Sequence, residues 1–91
     1  MFASFFLRRK LRAVLRRIES DSYEDNMPTL VDYVVRELIT QFDLGIDTEV
    51  AGHIIAAAQA TLYAHGIFDS KTVITNTAAF VFAAASLQEE S

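Results

Sequence analysis

His53 and His65 are the two side chains of this sequence that titrate near neutral pH, so any acid–base or metal chemistry starts with them. They lie twelve residues apart. On one helix that separation leaves them about a third of a turn out of register, so they cannot share a metal ion without a bend. The His-x₃-His spacing of helical zinc sites is missing. Glu49 stands one turn before His53, within hydrogen-bond reach, and His65 falls in a closing helical turn, where the helix dipole favours imidazolium. Both histidines therefore read as structural or surface residues.

Nucleophilic chemistry finds no setting either. The hydroxyls of Ser4, Ser20, Ser22, Ser70 and Ser86 lack the strained elbow and the oxyanion-type glycines that activate a serine. Gly45, Gly52 and Gly66 are isolated, whereas a phosphate-cradling loop needs clustered glycines. The absence of cysteine excludes a disulfide framework, a thiolate zinc site and a cysteine nucleophile. Asp43, Asp47 and Glu49 do not follow the alternating ligands and central glycine of a calcium loop, and read as solvated caps. The expectation is a protein that is not an enzyme, with no cofactor and no metal.

The strongest chemical feature is a cluster of cations. Arg8, Arg9, Lys10, Arg12, Arg16 and Arg17 are six of the eight basic residues, and the first carboxylate is Glu19. From position 19 onward Arg36 and Lys71 face all twelve carboxylates, a net −10. The formal −4 of the whole chain is thus an average over a basic segment and an acidic body. Such segregation points to nucleic acid, an anionic membrane or an acidic protein surface, including that of a neighbouring copy. Against nucleic acid, six cations could neutralise about six phosphates but would read no bases. No Asn or Gln accompanies them, and no helix-turn-helix pattern surrounds them. A membrane reading draws on the leucine stripe, the arginines and Phe2, Phe5 and Phe6, the composition of an interfacial helix. A protein contact uses the stripe for packing and the arginines for acidic surface, and is preferred here. The plainest alternative is a solvated basic face on a core helix.

Four helical elements must position these groups. Leu7, Leu11, Val14, Leu15 and Ile18 make one narrow apolar stripe over about Phe5–Ser20, with the cations around the rest. Phe2, Phe5 and Phe6 fall off that stripe and must meet a second surface or stay exposed. An acidic connector, residues 21–28, precedes a bundle domain over residues 29–88. Its first helix, about Leu30–Phe42, is expected to start at a Thr29/Asp32 capping box, with Val31, Val34, Val35, Leu38, Ile39 and Phe42 on one face. Gly45 is the expected left-handed C′ residue and Ile46 its apolar C″ partner. The next helix, about Glu49–His65, takes Asp47 or Thr48 as cap and Gly66 as stop. It is apolar nearly all round, with Gly52, Ala56, Ala60 and Ala64 at four-residue spacing along one side. A helix without a polar face is expected to be buried, here as the central helix, packed closely along that small-residue ridge. The last helix, from Ser70 or Lys71 to Leu87, offers Val73, Thr77, Phe80, Val81, Ala84 and Leu87 to the core. Phe82 lies opposite, as a contact for another chain.

Ninety-one residues that are 52% hydrophobic, with three Gly and one Pro, suit a single small all-α bundle: three core helices plus the basic amphipathic helix, packed on them or extended as an arm. Val50–Phe68 and Thr72–Gln88 are free of charge and near spanning length, but His53, Gln59, His65, Thr72, Thr75, Asn76 and Thr77 interrupt them, so a transmembrane hairpin is rejected. The N-terminal segment resembles a mitochondrial presequence in being Arg-rich and acid-free. It does not resemble a secretory signal, because its basic run follows the apolar stretch. A retained arm on an intracellular, soluble or peripheral protein is the expectation. The function expected is docking or assembly, with a protein partner or a homo-oligomer; the alternative is an anion-binding module acting on nucleic acid or an acidic membrane.

Overall fold

The computed structural model describes residues 2–22 and 25–90, with side chains for residues 6–22 and 25–88. The described residues form four helices: α1 (Phe2–Asp21), α2 (Met27–Gln41), α3 (Thr48–Ala64) and α4 (Ser70–Glu90). No strand occurs among the described residues, so the all-α class holds. The radius of gyration is 12.7 Å. A compact domain of this length is expected at about 12 Å, so α1 lies against the bundle and is not an extended arm.

Each helix boundary has a local cause. The Asn26 side chain accepts the Thr29 amide at 3.1 Å and caps α2. The expected Thr29 cap is therefore corrected: Thr29 is the donor, and α2 starts earlier. Pro28 sits in that first turn, where its missing N–H costs no bond. At the other end Asp43 takes the left-handed conformation, φ 47°. Its amide bonds Thr40 O at 3.4 Å, and the Leu44 amide bonds Ile39 O at 3.2 Å. These two bonds form a Schellman motif with Asp43 at C′ and Leu44 at C″, not the expected Gly45 and Ile46. Gly45, φ 68°, continues the same turn. Asp47 caps α3 by accepting the Val50 amide at 2.8 Å. Gly66, φ 66°, closes α3 as expected, with its amide on Tyr63 O and that of Ile67 on Leu62 O. Asp69 receives the Thr72 amide at 3.0 Å and so opens α4.

α2 and α4 form the central pair, and α1 and α3 each pack on both without touching one another. α2 buries Met27, Leu30, Val31, Val34, Val35 and Leu38. α4 adds Val73, Ile74, Thr77, Ala78, Val81 and Ala85, and α1 adds Val14 and Ile18. The expectation that α3 is central is overturned. It buries Ala51, Ile54, Ile55, Ala58 and Leu62 along one side. Its other side is largely alanine, whose small apolar surface costs little to leave in water. The α4 face is the expected one in part: Val73, Thr77 and Val81 are buried, but so are Ile74, Ala78 and Ala85, and Leu87 is 68% exposed, because α4 packs on three helices.

Candidate functional site

Two of the six clustered cations brace α1 against α2. The Arg17 guanidinium is paired with Glu37, which also accepts from Gln41 Nε2 at 3.1 Å. Lys10 Nζ donates to the Gln41 carbonyl at 2.5 Å and lies 4.8 Å from the centroid of the Phe42 ring. That carbonyl is in the last turn of α2, where unpaired C=O groups and the helix dipole favour a cation. Beside this brace the Tyr33 hydroxyl has a raised pKa, through desolvation first and then the Glu37 and Asp21 carboxylates. Arg8, Arg9, Arg12 and Arg16 are exposed. Among the described residues none of these four enters an ion pair. The basic face thus divides into two internal braces and four outward cations.

Arg12 and Arg16 border a groove between α1 and α4, with Lys71 on its far wall. Leu15 and Ile74 give the groove apolar walls, and Glu19, Ser20 and Thr75 complete it. No signal in the sequence joined Lys71 to the arginines, because that pairing depends on how α4 packs.

Phe82 is not the outward contact that was expected. It is half-buried and meets Phe42 edge to face at 5.5 Å between centroids. Leu7, Arg8 and Leu11 close a shallow apolar cleft around that pair. Phe6 and Leu7 are 63% and 54% exposed. Leu7 therefore leaves the buried stripe while still bordering the cleft. The side chains of Phe2 and Phe5 lie outside the described residues.

The ridge Gly52, Ala56, Ala60 and Ala64 is exposed, and among the described residues no helix packs on it. A methyl group added at Gly52 would meet no atom within 4 Å. On the flank toward α4, Val50, Ile54, Ala57, Phe80, Ala84 and Leu87 line an open apolar groove, with His53 at its edge. At the C-terminal end Tyr63 and Phe68, 71% and 55% exposed, meet edge to face at 6.1 Å. His65 closes the helix, with Nδ1 2.8 Å from Thr61 O. His53 is exposed and makes no hydrogen bond to Glu49 among the described residues. The two histidines are not brought together.

Among the described residues no group of three or more His, Asp or Glu side chains is arranged to hold a metal ion. No helix among them is long and apolar enough to cross a membrane. Among the described residues the surfaces offer apolar area, a small-residue ridge and a cationic groove. Comparison of the chain with known families, curated proteins and solved structures returns no match.

Proposed function

We propose that this protein is a non-enzymatic docking subunit that assembles through its helical surfaces, first with another copy of itself through the outer side of α3. The observation that carries this reading is that α3, apolar nearly all round, is covered on one side only, leaving Gly52, Ala56, Ala60 and Ala64 exposed. Tyr63, Phe68 and Leu87, each more than half exposed, frame the same face. From Val50 to Ala64 the helix carries no Asp, Glu, Lys or Arg, so two copies would meet without like-charge repulsion. A ridge of small residues is complementary to itself about a twofold axis, since short side chains permit close approach of two helices. Sedimentation velocity on the wild type and on Ala57→Glu/Ala60→Glu tests the reading. Both positions are exposed, so the variant should keep its helical content and lose assembly. A wild type that stays monomeric at high micromolar concentration would overturn it.

A second reading draws on the outward clustering of Arg8, Arg9, Arg12 and Arg16. These four would hold nucleic acid or an acidic membrane surface, with an affinity that falls steeply with salt, a log–log slope of about −3 to −4 on duplex DNA. Replacing all four with Gln should abolish the binding and flatten the slope. Binding indifferent to salt would end this alternative.

A further inference from the structure

We propose that the groove between α1 and α4 binds an acidic amphipathic helix of a partner protein. This rests on the docking reading and names a second surface and the chemistry of its occupant. Arg12 and Arg16 stand one turn apart on α1 and face Lys71 in the first turn of α4. Their like charges converge here although the chain from residue 19 onward, Lys71 included, carries a net −10. Glu19 is the single carboxylate among the lining residues, and no ion pair joins it to a cation among the described residues. The groove therefore holds an excess of two positive charges, and planar guanidinium groups match carboxylates bidentately.

The shape selects among anions. Half-buried Leu15 is the apolar surface that the groove offers, since Ile74 is only 2% exposed, so a fitting occupant brings an apolar side chain as well as negative charge. From Arg12 to Ser20 the groove runs eight residues of α1, about 12 Å, which is roughly two helical turns. A helix with Leu at i and i+4 and Glu on either flank presents both features over that length. A nucleic-acid strand offers phosphates at every step and planar base faces, but no aliphatic side chain, for Leu15. Continued past Ser20 it would run onto Asp21 at the end of α1 and Asp25 beyond it, both exposed. A flat membrane surface can meet the outward Arg12 and Arg16, but it does not follow the concave groove down to the half-buried Leu15. Charge complementarity and the accessible part of Leu15 together favour the protein helix.

Fluorescence anisotropy on the full chain tests the proposal. The probe is a labelled synthetic helix with Leu at i and i+4 flanked by Glu. Its controls are the same peptide with Gln for Glu, a single-stranded RNA oligonucleotide, and vesicles of phosphatidylcholine with phosphatidylserine. Arg12→Gln/Arg16→Gln/Lys71→Gln should weaken peptide binding tenfold or more, as should Gln for Glu in the peptide. Glu19→Gln should tighten it several-fold by removing a like charge. Absence of peptide binding, unchanged binding by the triple variant, or tighter binding of RNA or vesicles would each overturn the proposal. If the triple variant fails to fold, the Gln peptide against the wild type decides alone. A wild-type monomer that still binds the peptide defeats only the self-assembly reading; a protein that assembles and ignores the peptide defeats only this one.

Discussion

Arg17 on α1 is ion-paired with Glu37 on α2, twenty residues along the chain, so that the pair bridges the basic helix to the bundle. Its side chains are 46% and 25% exposed, so solvent screens it and its contribution is about 0.5 kcal/mol. Ile18, fully buried beside it, contributes far more through packing. Urea denaturation should therefore show Glu37→Gln losing about 0.5 kcal/mol and Ile18→Ala about 3 kcal/mol. Equal losses would mean that charge, not burial, holds α1 in place.

The helices were legible in the sequence because their evidence is local. The stripe Val14/Ile18, the α2 face Val31/Val34/Val35/Leu38 and the stop at Gly66 all follow from spacing and backbone preference. The misreadings arose where two signals competed or where contact crossed the chain. Asn26 and Thr29 are both good caps, and Pro28 between them fits either frame. Asp43 took a left-handed site that Gly45 could have filled. That α3 is peripheral follows from how it packs on α2 and α4, to which an all-apolar period is blind. Phe82 on Phe42 and Lys71 opposite Arg12 join residues that are 40 and 59 positions apart in the sequence, and no periodicity carries such a pairing.

The cap assignment at α2 has a direct test. Asn26→Ala removes the acceptor of the Thr29 amide and should cost about 1 kcal/mol. Thr29→Ala leaves that bond in place and should cost a few tenths at most, about 0.3 kcal/mol. Thermal unfolding by circular dichroism ranks the two, and the reverse order would restore Thr29 as the cap.

Asp69 ties α4 to pH. Its carboxyl is held below the ordinary value of 3.8 by the Thr72 hydroxyl and then by the Thr72 amide. Because the folded pKa is the lower one, this contribution is complete above the unfolded value and is lost as pH falls through the folded value. Asp69→Asn keeps a capping oxygen without a titrating charge. The stability difference between wild type and variant should therefore shrink on acidification from about pH 5 to about pH 2. A difference that stays constant over that range would remove Asp69 from the acid response.

Thr77 lies fully buried on α4, and its Oγ1 has no hydrogen-bond partner among the described residues. A buried hydroxyl left unpaired costs about 1–3 kcal/mol, whereas a methyl group of the same size costs nothing there. Thr77→Val should raise stability by about 1 kcal/mol, or roughly 5 °C in Tm for a domain of this size. Thr77→Ser keeps the hydroxyl, removes the methyl and should lower Tm. A lower Tm for the valine variant would show that the hydroxyl is satisfied in solution.

Glycine placement separates the fold from the assembly. Gly66 has φ 66°, so Gly66→Ala forces a side chain into the left-handed region and should cost about 1 kcal/mol. Gly52 is helical and open, with no atom within 4 Å of an added methyl group. Gly52→Ala should therefore stabilise the isolated monomer by about 0.5–1 kcal/mol, through the lower backbone entropy of alanine in the unfolded chain. On the proposed α3–α3 contact the same methyl group would hold two helices apart. Gly52→Ala should thus raise the Tm of dilute protein while weakening self-association in sedimentation velocity. These opposite signs from one methyl group are the signature of a ridge that is idle in the monomer and close-packed in the assembly; a variant that gains in both measurements would place the contact elsewhere.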